Sequence, residues 1–336
     1  MTKLDSQQMK GIAILMMLFL HLFGESWKIG SYQSLWTFGN TTIENYLCTA
    51  FAPVAFFLIL SGYGLHYVYT KGNDKHRFSR IVKVYTHYIF ITFSFVILNI
   101  FIGGGDLSHI LGNIIGYNPT WNPHAWFLLP FSVLSLLSYW IFKWTDKISP
   151  LRLFCGAITW NLLTSYVVSR FGTEYLYPNR FLYNVFLPFH LVSSMILGSL
   201  IHRCALVAKT KSYFPKGLLS QLFGYVLIIV MIIAVSLIHP LGALYSISFT
   251  VLFSALRKPL IVSKTLATLG EQSMNMWFIH GWLCCVLFRD LFFRLHYSLL
   301  IFLATVVTSL LASWFANWCL NPIDKCMGKL LKNMKI

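Results

Sequence analysis

Lys10, His21 and Glu25 stand in one run, KGIAILMMLFLHLFGE, and the thirteen residues 11–23 are apolar apart from His21. On a helix, eleven residues rise about 16 Å. Eleven steps of about 100° also close to within roughly 20° of three turns, so Lys10 and His21 share a stripe. Glu25, four residues beyond His21, falls on the same face and can accept a hydrogen bond from the ring. A carboxylate on one imidazole nitrogen fixes the tautomer and makes the other nitrogen a better base. A core histidine bonded to a neighbouring helix, with Lys10 reaching for the interface, has the same spacing. The pattern leaves both readings open.

Four further groups could carry chemistry. His280 lies in the apolar stretch LGEQSMNMWFIHGWLCCVLF with Ser273 and Asn275. Two imidazoles in separate apolar segments suggest a polar cavity, because ionisable groups inside a membrane are costly. Ser61 and Tyr63 interrupt FAPVAFFLILSGYGLHY, where small residues also serve close helix packing. Arg77 and Arg80, at i and i+3 in KGNDKHRFSRIVKVY, could fork onto phosphate oxygens. Cytoplasmic topogenic charge gives the same pattern. A stretch without Lys or Arg, GGGDLSHILGNIIGYNPTWNPHAWFLLP, gathers Trp121, Asn122, His124 and Trp126. Such residues suit a sugar, although tryptophan also marks membrane interfaces.

The elements that must hold these residues follow from composition. Of 336 residues, 57% are hydrophobic and only 11% charged, against about 25% charged in an average soluble domain. So few charges cannot cover a water-facing surface. The expectation is an all-α polytopic membrane bundle, residues 1–336 forming one membrane-embedded domain with no appended soluble domain. About ten spans are expected, each needing about 20 apolar residues. They fall near 9–28, 46–68, 84–103, 124–143, 151–169, 182–201, 218–238, 240–256, 272–289 and 297–319, with one kinked element as the alternative for the seventh and eighth. With both termini cytoplasmic, 21 of the 26 Lys and Arg fall on cytoplasmic segments, as the positive-inside rule requires. The net charge of +16 is therefore topogenic and lipid-facing rather than a nucleic-acid stripe. The seven cysteines have no metal-site spacing, and neither a metal nor a disulfide is expected. The apolar N-terminal run lacks a small-residue cleavage site and reads as a retained first span.

Five motifs in order resemble acyltransferase family 3, the integral membrane acyltransferases that O-acetylate surface polysaccharides and related acceptors. They are a basic residue and a histidine eleven positions on (Lys10, His21), a paired Phe ahead of Ser-Gly-Tyr (residues 56–63), RFSR (Arg77, Arg80), HAWFL (residues 124–128) and LGEQSMNMWFIH (residues 269–280). The chain departs from the family pattern in having Lys10 for arginine and Trp277 for tyrosine. The resemblance implies acetyl-CoA or another acyl-CoA as a cytoplasmic donor substrate, with no permanently bound cofactor. The implied acceptor is a glycan or lipid-linked saccharide, in a bacterial cytoplasmic membrane, with polysaccharide-assembly proteins as candidate partners. It casts His21 as the base or acyl relay oriented by Glu25. Lys10, Arg77 and Arg80 would serve the donor, and Ser61, Tyr63, Asn122, His124, Trp126 and His280 the acceptor or cavity. The other classes considered are a transporter or flippase, and a non-catalytic component of a polysaccharide export system.

Overall fold

A computed structural model describes residues 1–24, 31–72, 76–104, 107–214, 217–238 and 242–333. In chain order the elements are α1 (Lys3–Phe23), β1 (Thr37–Phe38), β2 (Thr41–Thr42), α2 (Ile43–Cys48), α3 (Pro53–Thr70), α4 (His76–Phe101) and α5 (Ile110–Ile115). A 3-10 turn (Pro123–Phe127) then leads into α6 (Leu128–Thr145) and α7 (Pro150–Phe171). There follow a π turn (Gly172–Leu176), α8 (Arg180–Arg203), α9 (Leu206–Tyr213), α10 (Leu218–Leu237), α11 (Gly242–Ala255), α12 (Leu260–Gly281), a second π turn (Trp282–Leu287), α13 (Arg289–Phe293) and α14 (Ser298–Asn333). Among the described residues the two strands pair with each other alone, and the protein is all-α. Among the described residues, eight segments are long and apolar enough to cross a membrane. The eighth expected span is the short helix α11. The ninth is the end of α12 continued by its π turn.

Helices form because lipid leaves no partner for open backbone groups, and a helix satisfies its own. Contacts divide the chain into two compact units. The first holds Met1–Ala13, Ala52–Asp74 and Pro130–Gly270. Its central joint is α3 against α8, where glycine is required on both helices. A Cβ on Gly62 would lie 2.0 Å from the Met195 carbonyl oxygen, and one on Gly198 2.0 Å from that of Ile59. The Ser61–Gly62 interruption is thus a packing joint, as small residues are in membranes. Ser61 is buried there, and the Tyr63 hydroxyl donates to the Met1 carbonyl at 3.1 Å. The same unit buries His66 between Asp146 (3.0 Å) and His202 (2.7 Å).

The second unit holds Ile14–Phe51, Lys75–Leu129 and Glu271–Ile336. Its polar groups join α4, α12 and α14 across the unit. The His87 ring meets Asn275 Oδ1 at 2.7 Å and the Asp324 carboxylate at 3.2 Å. Lys83 pairs with the same carboxylate at 2.7 Å. Asn275 donates to Asn317, which donates to Gln272. Polar groups in a low-dielectric interior are tolerable because they satisfy one another.

Candidate functional site

The second unit brings three imidazoles together from three chain segments. His21 comes from the last turn of α1, His124 from the 3-10 turn, and His280 from the end of α12. Ring centroids are 4.1 Å apart for His21 and His124, 4.9 Å for His21 and His280, and 5.3 Å for His124 and His280. His280 is fully buried, while His21 and His124 are half-buried.

The hydrogen bonds dictate which nitrogens carry protons. His280 Nδ1 lies 3.1 Å from the Met276 carbonyl oxygen, which can only accept, so Nδ1 carries the hydrogen. In the neutral ring Nε2 is then an acceptor. It sits 2.7 Å from His21 Nδ1, which must donate. His21 Nε2 is left holding the lone pair. The chain from backbone carbonyl to His280 to His21 thus fixes a base tautomer.

Local structure sets His124 against these two rings. Pro123 opens the 3-10 turn, where its fixed φ suits the first helical position. Asn122 Nδ2 donates to the Phe278 carbonyl at 2.9 Å. Trp277 Nε1 donates to the His124 carbonyl at 2.9 Å. The tryptophan that departs from the family pattern therefore uses its one donor to hold the turn on α12. Gly281 completes the fit, since a Cβ there would lie 2.3 Å from His124 Cδ2. Asn122 is 1% exposed, and its buried Oδ1 has no hydrogen-bond partner. It is a buried acceptor with no donor among the described residues.

Could the cluster hold a metal? One nitrogen from each ring lies within 4.8 Å of the others, which suits a zinc-class ion by donor type. Tetrahedral zinc with bonds of about 2.0 Å would hold its nitrogens about 3.3 Å apart. The His21–His280 pair is closer, at 2.7 Å, and hydrogen-bonded. The arrangement fits a proton relay better than a metal cage.

Glu25 lies outside the described residues. Trp126 is half-buried and packs edge-on against Phe127 at 5.9 Å. Arg77 and Arg80 are half-buried in the first turns of α4, in the same unit as the histidines. Lys10, Ser61 and Tyr63 belong to the first unit. Sequence reasoning missed the Met276 carbonyl as anchor of the relay, and Gly281 as the position that admits His124. The one legible signal for Gly281 is a glycine inserted between His280 and Trp282 in a helix.

The fold and site define an all-α membrane protein with a histidine relay buried in its helices. The family profile described as "Acyltransferase domain", that of acyltransferase family 3, matches residues 4–318 of the 336. The chain belongs to this family and is a membrane acyltransferase. No curated protein and no solved structure matches it.

Proposed function

We propose that the protein is an O-acetyltransferase of a bacterial cytoplasmic membrane, moving acetyl from acetyl-CoA to a hydroxyl of a surface glycan or its lipid-linked precursor. The observation that carries this reading is the 2.7 Å bond between His21 Nδ1 and His280 Nε2, with His280 Nδ1 anchored on Met276. His21 Nε2 takes the proton of the acceptor hydroxyl as its oxygen attacks the thioester carbonyl carbon. The new C–O bond forms, the C–S bond breaks, and the imidazolium returns the proton to the departing thiolate. The products are the ester and CoA. While His21 is charged, its bond to His280 is charge-assisted and stronger, which favours the transition state over the ground state. Arg77 and Arg80 hold the phosphates of CoA, and His124 and Asn122 receive the acceptor.

Two measurements test this. Purified full-length protein in lipid nanodiscs should consume radiolabelled acetyl-CoA and form a labelled ester on glycan, and His21→Ala should lower this by about 10²-fold or more. Equal turnover by His21→Ala would remove the base. Arg77→Ala with Arg80→Ala should raise the Kd for CoA about tenfold or more, since hydrogen bonds to charged groups contribute about 1.5–3 kcal/mol each. Unchanged affinity would take both residues out of the donor site.

A further inference from the structure

Between α6, α7 and α8 runs a cavity of about 700 Å³, within the size range of small-molecule sites. All of its lining lies in the Pro130–Gly270 part of the first unit. Val133 to Thr145 of α6 form one side, about 18 Å of helix. A hydrocarbon core about 30 Å thick gives each leaflet about 15 Å, so the cavity has the depth of one leaflet. Its rim is open, with Trp144 70% and Phe189 56% exposed. Apolar side chains exposed on spanning helices face lipid, so the cavity is entered from the bilayer.

The floor is kept clear. Gly156 of α7 is part of the lining, and a Cβ on it would meet no described atom within 4 Å outside its own helix turn. Gly62 and Gly198 let two helices touch, whereas Gly156 costs helix stability without bringing a neighbour closer. Farther along, Trp160 Nε1 donates to the Phe189 carbonyl at 2.6 Å and Asn161 Nδ2 to Ser193 Oγ at 3.3 Å, which pins α7 to α8.

Charge stands at one end. Arg152, exposed in the first turn of α7, is the one charged residue of the lining among those described. It has no ion-pair partner among the described residues. Arg203, by contrast, is spent on the carbonyls of Thr145 (3.3 Å), Asp146 (3.2 Å) and Ile148 (2.9 Å). The Asp146 carboxylate is engaged by His66 and lies 3.9 Å from Arg203. Trp144 at this end suits the headgroup level, where tryptophan is enriched. Lys143 and Lys147 are exposed in the same stretch of chain. At the opposite end Asn184 turns its amide N–H to the Arg180 carbonyl of its own helix.

We propose that this cavity binds an anionic phospholipid of the cytoplasmic leaflet, with one acyl chain in the groove and the phosphate on Arg152. A guanidinium forks onto phosphate oxygens, and basic pockets between spanning helices on the cytoplasmic side take such headgroups. The turn between α6 and α7 is one of the segments that the charge asymmetry assigns to the cytoplasm. An anionic headgroup is favoured over a zwitterionic one because the neighbouring free charges are lysines and the nearest carboxylate is engaged. A polyprenyl chain would overrun a groove of one leaflet's depth. The assignment does not depend on acyl transfer.

The test is photoaffinity labelling of the full-length protein in phosphatidylcholine nanodiscs. The probes are phosphatidylglycerol and phosphatidylethanolamine carrying the same diazirine on one acyl chain. Phosphatidylglycerol should label residues 133–160 and 184–196 tenfold or more above phosphatidylethanolamine, and Arg152→Gln should remove that difference. Gly156→Phe, whose ring enters the open space, should lower labelling there by both probes. Unlabelled phosphatidylglycerol should compete, and polyprenyl phosphate should not. Equal labelling by the two headgroups, or labelling spread evenly over all helices, would mean ordinary annular lipid and overturn the site. Competition by polyprenyl phosphate alone would give the groove to a different lipid and overturn it as well. Should Gly156→Phe fail to fold, Arg152→Gln, a change at an exposed side chain, still decides.

Discussion

At the scale of residues, the account turns on which atom holds a proton. His280 faces a carbonyl oxygen through Nδ1 and His21 through Nε2, so it acts on the reaction through His21, setting its tautomer and strengthening their bond while His21 is charged. His280→Leu should therefore lower kcat by about 10²- to 10⁴-fold, the range of general-base catalysis that a wrong tautomer would forfeit, with KM for acetyl-CoA unchanged. A parallel rise in KM, or an unaltered kcat, would mean that His280 serves packing alone. The sequence made His21 legible because an imidazole interrupts an apolar run. Glu25, expected from i+4 spacing as the orienting group, lies outside the described residues; His280, the partner described on His21 Nδ1, is 259 residues away. No local pattern encodes such a bond. Asn122 and His124 were legible as polar residues near two tryptophans, but the unpartnered Asn122 Oδ1 depends on where α12 passes.

At the scale of elements, glycines decide how near the working helices come. Gly281 admits His124, and its replacement by alanine would press a methyl to 2.3 Å from that ring. Displacing a catalytic group by about 1 Å can cost about 10²-fold in rate. Gly281→Ala should therefore cut acetyl transfer strongly while leaving thermal stability near that of the wild-type protein. Gly198→Ala should do the opposite in kind. Its methyl would meet the Ile59 backbone at 2.0 Å, and overpacking of this sort costs about 1–3 kcal/mol, so Tm should fall. If both variants lose stability alike, Gly281 has no special bearing on the site. The Ser-Gly-Tyr interruption was readable as close packing from residue size alone. The 3-10 turn was not, because five residues opening on Pro123 have no periodicity to detect and merge into α6.

At the scale of the whole molecule, the hydrophobic composition made the all-α membrane class plain, since so little charge cannot face water. Individual spans were harder. The end of α12 is dense in polar side chains, including Gln272, Asn275 and His280, because it bonds to α14, α4 and α1 rather than to lipid. Hydropathy cannot distinguish such a segment from a loop. The charge asymmetry predicts both termini in the cytoplasm. Exposed Cys326 near the end of α14, kept as the sole thiol with the other six cysteines replaced by serine, should react with a membrane-impermeant maleimide only after the inner face is opened. Labelling of intact cells would reverse the topology. The central claim, that His21 is the base of acyl transfer, is tested most directly by supplying radiolabelled acetyl-CoA to nanodiscs of wild-type and His21→Ala protein with glycan acceptor. The account predicts labelled, base-labile ester from the wild-type protein and a loss of about 10²-fold or more in the variant. Equal ester formation by the two proteins would contradict it.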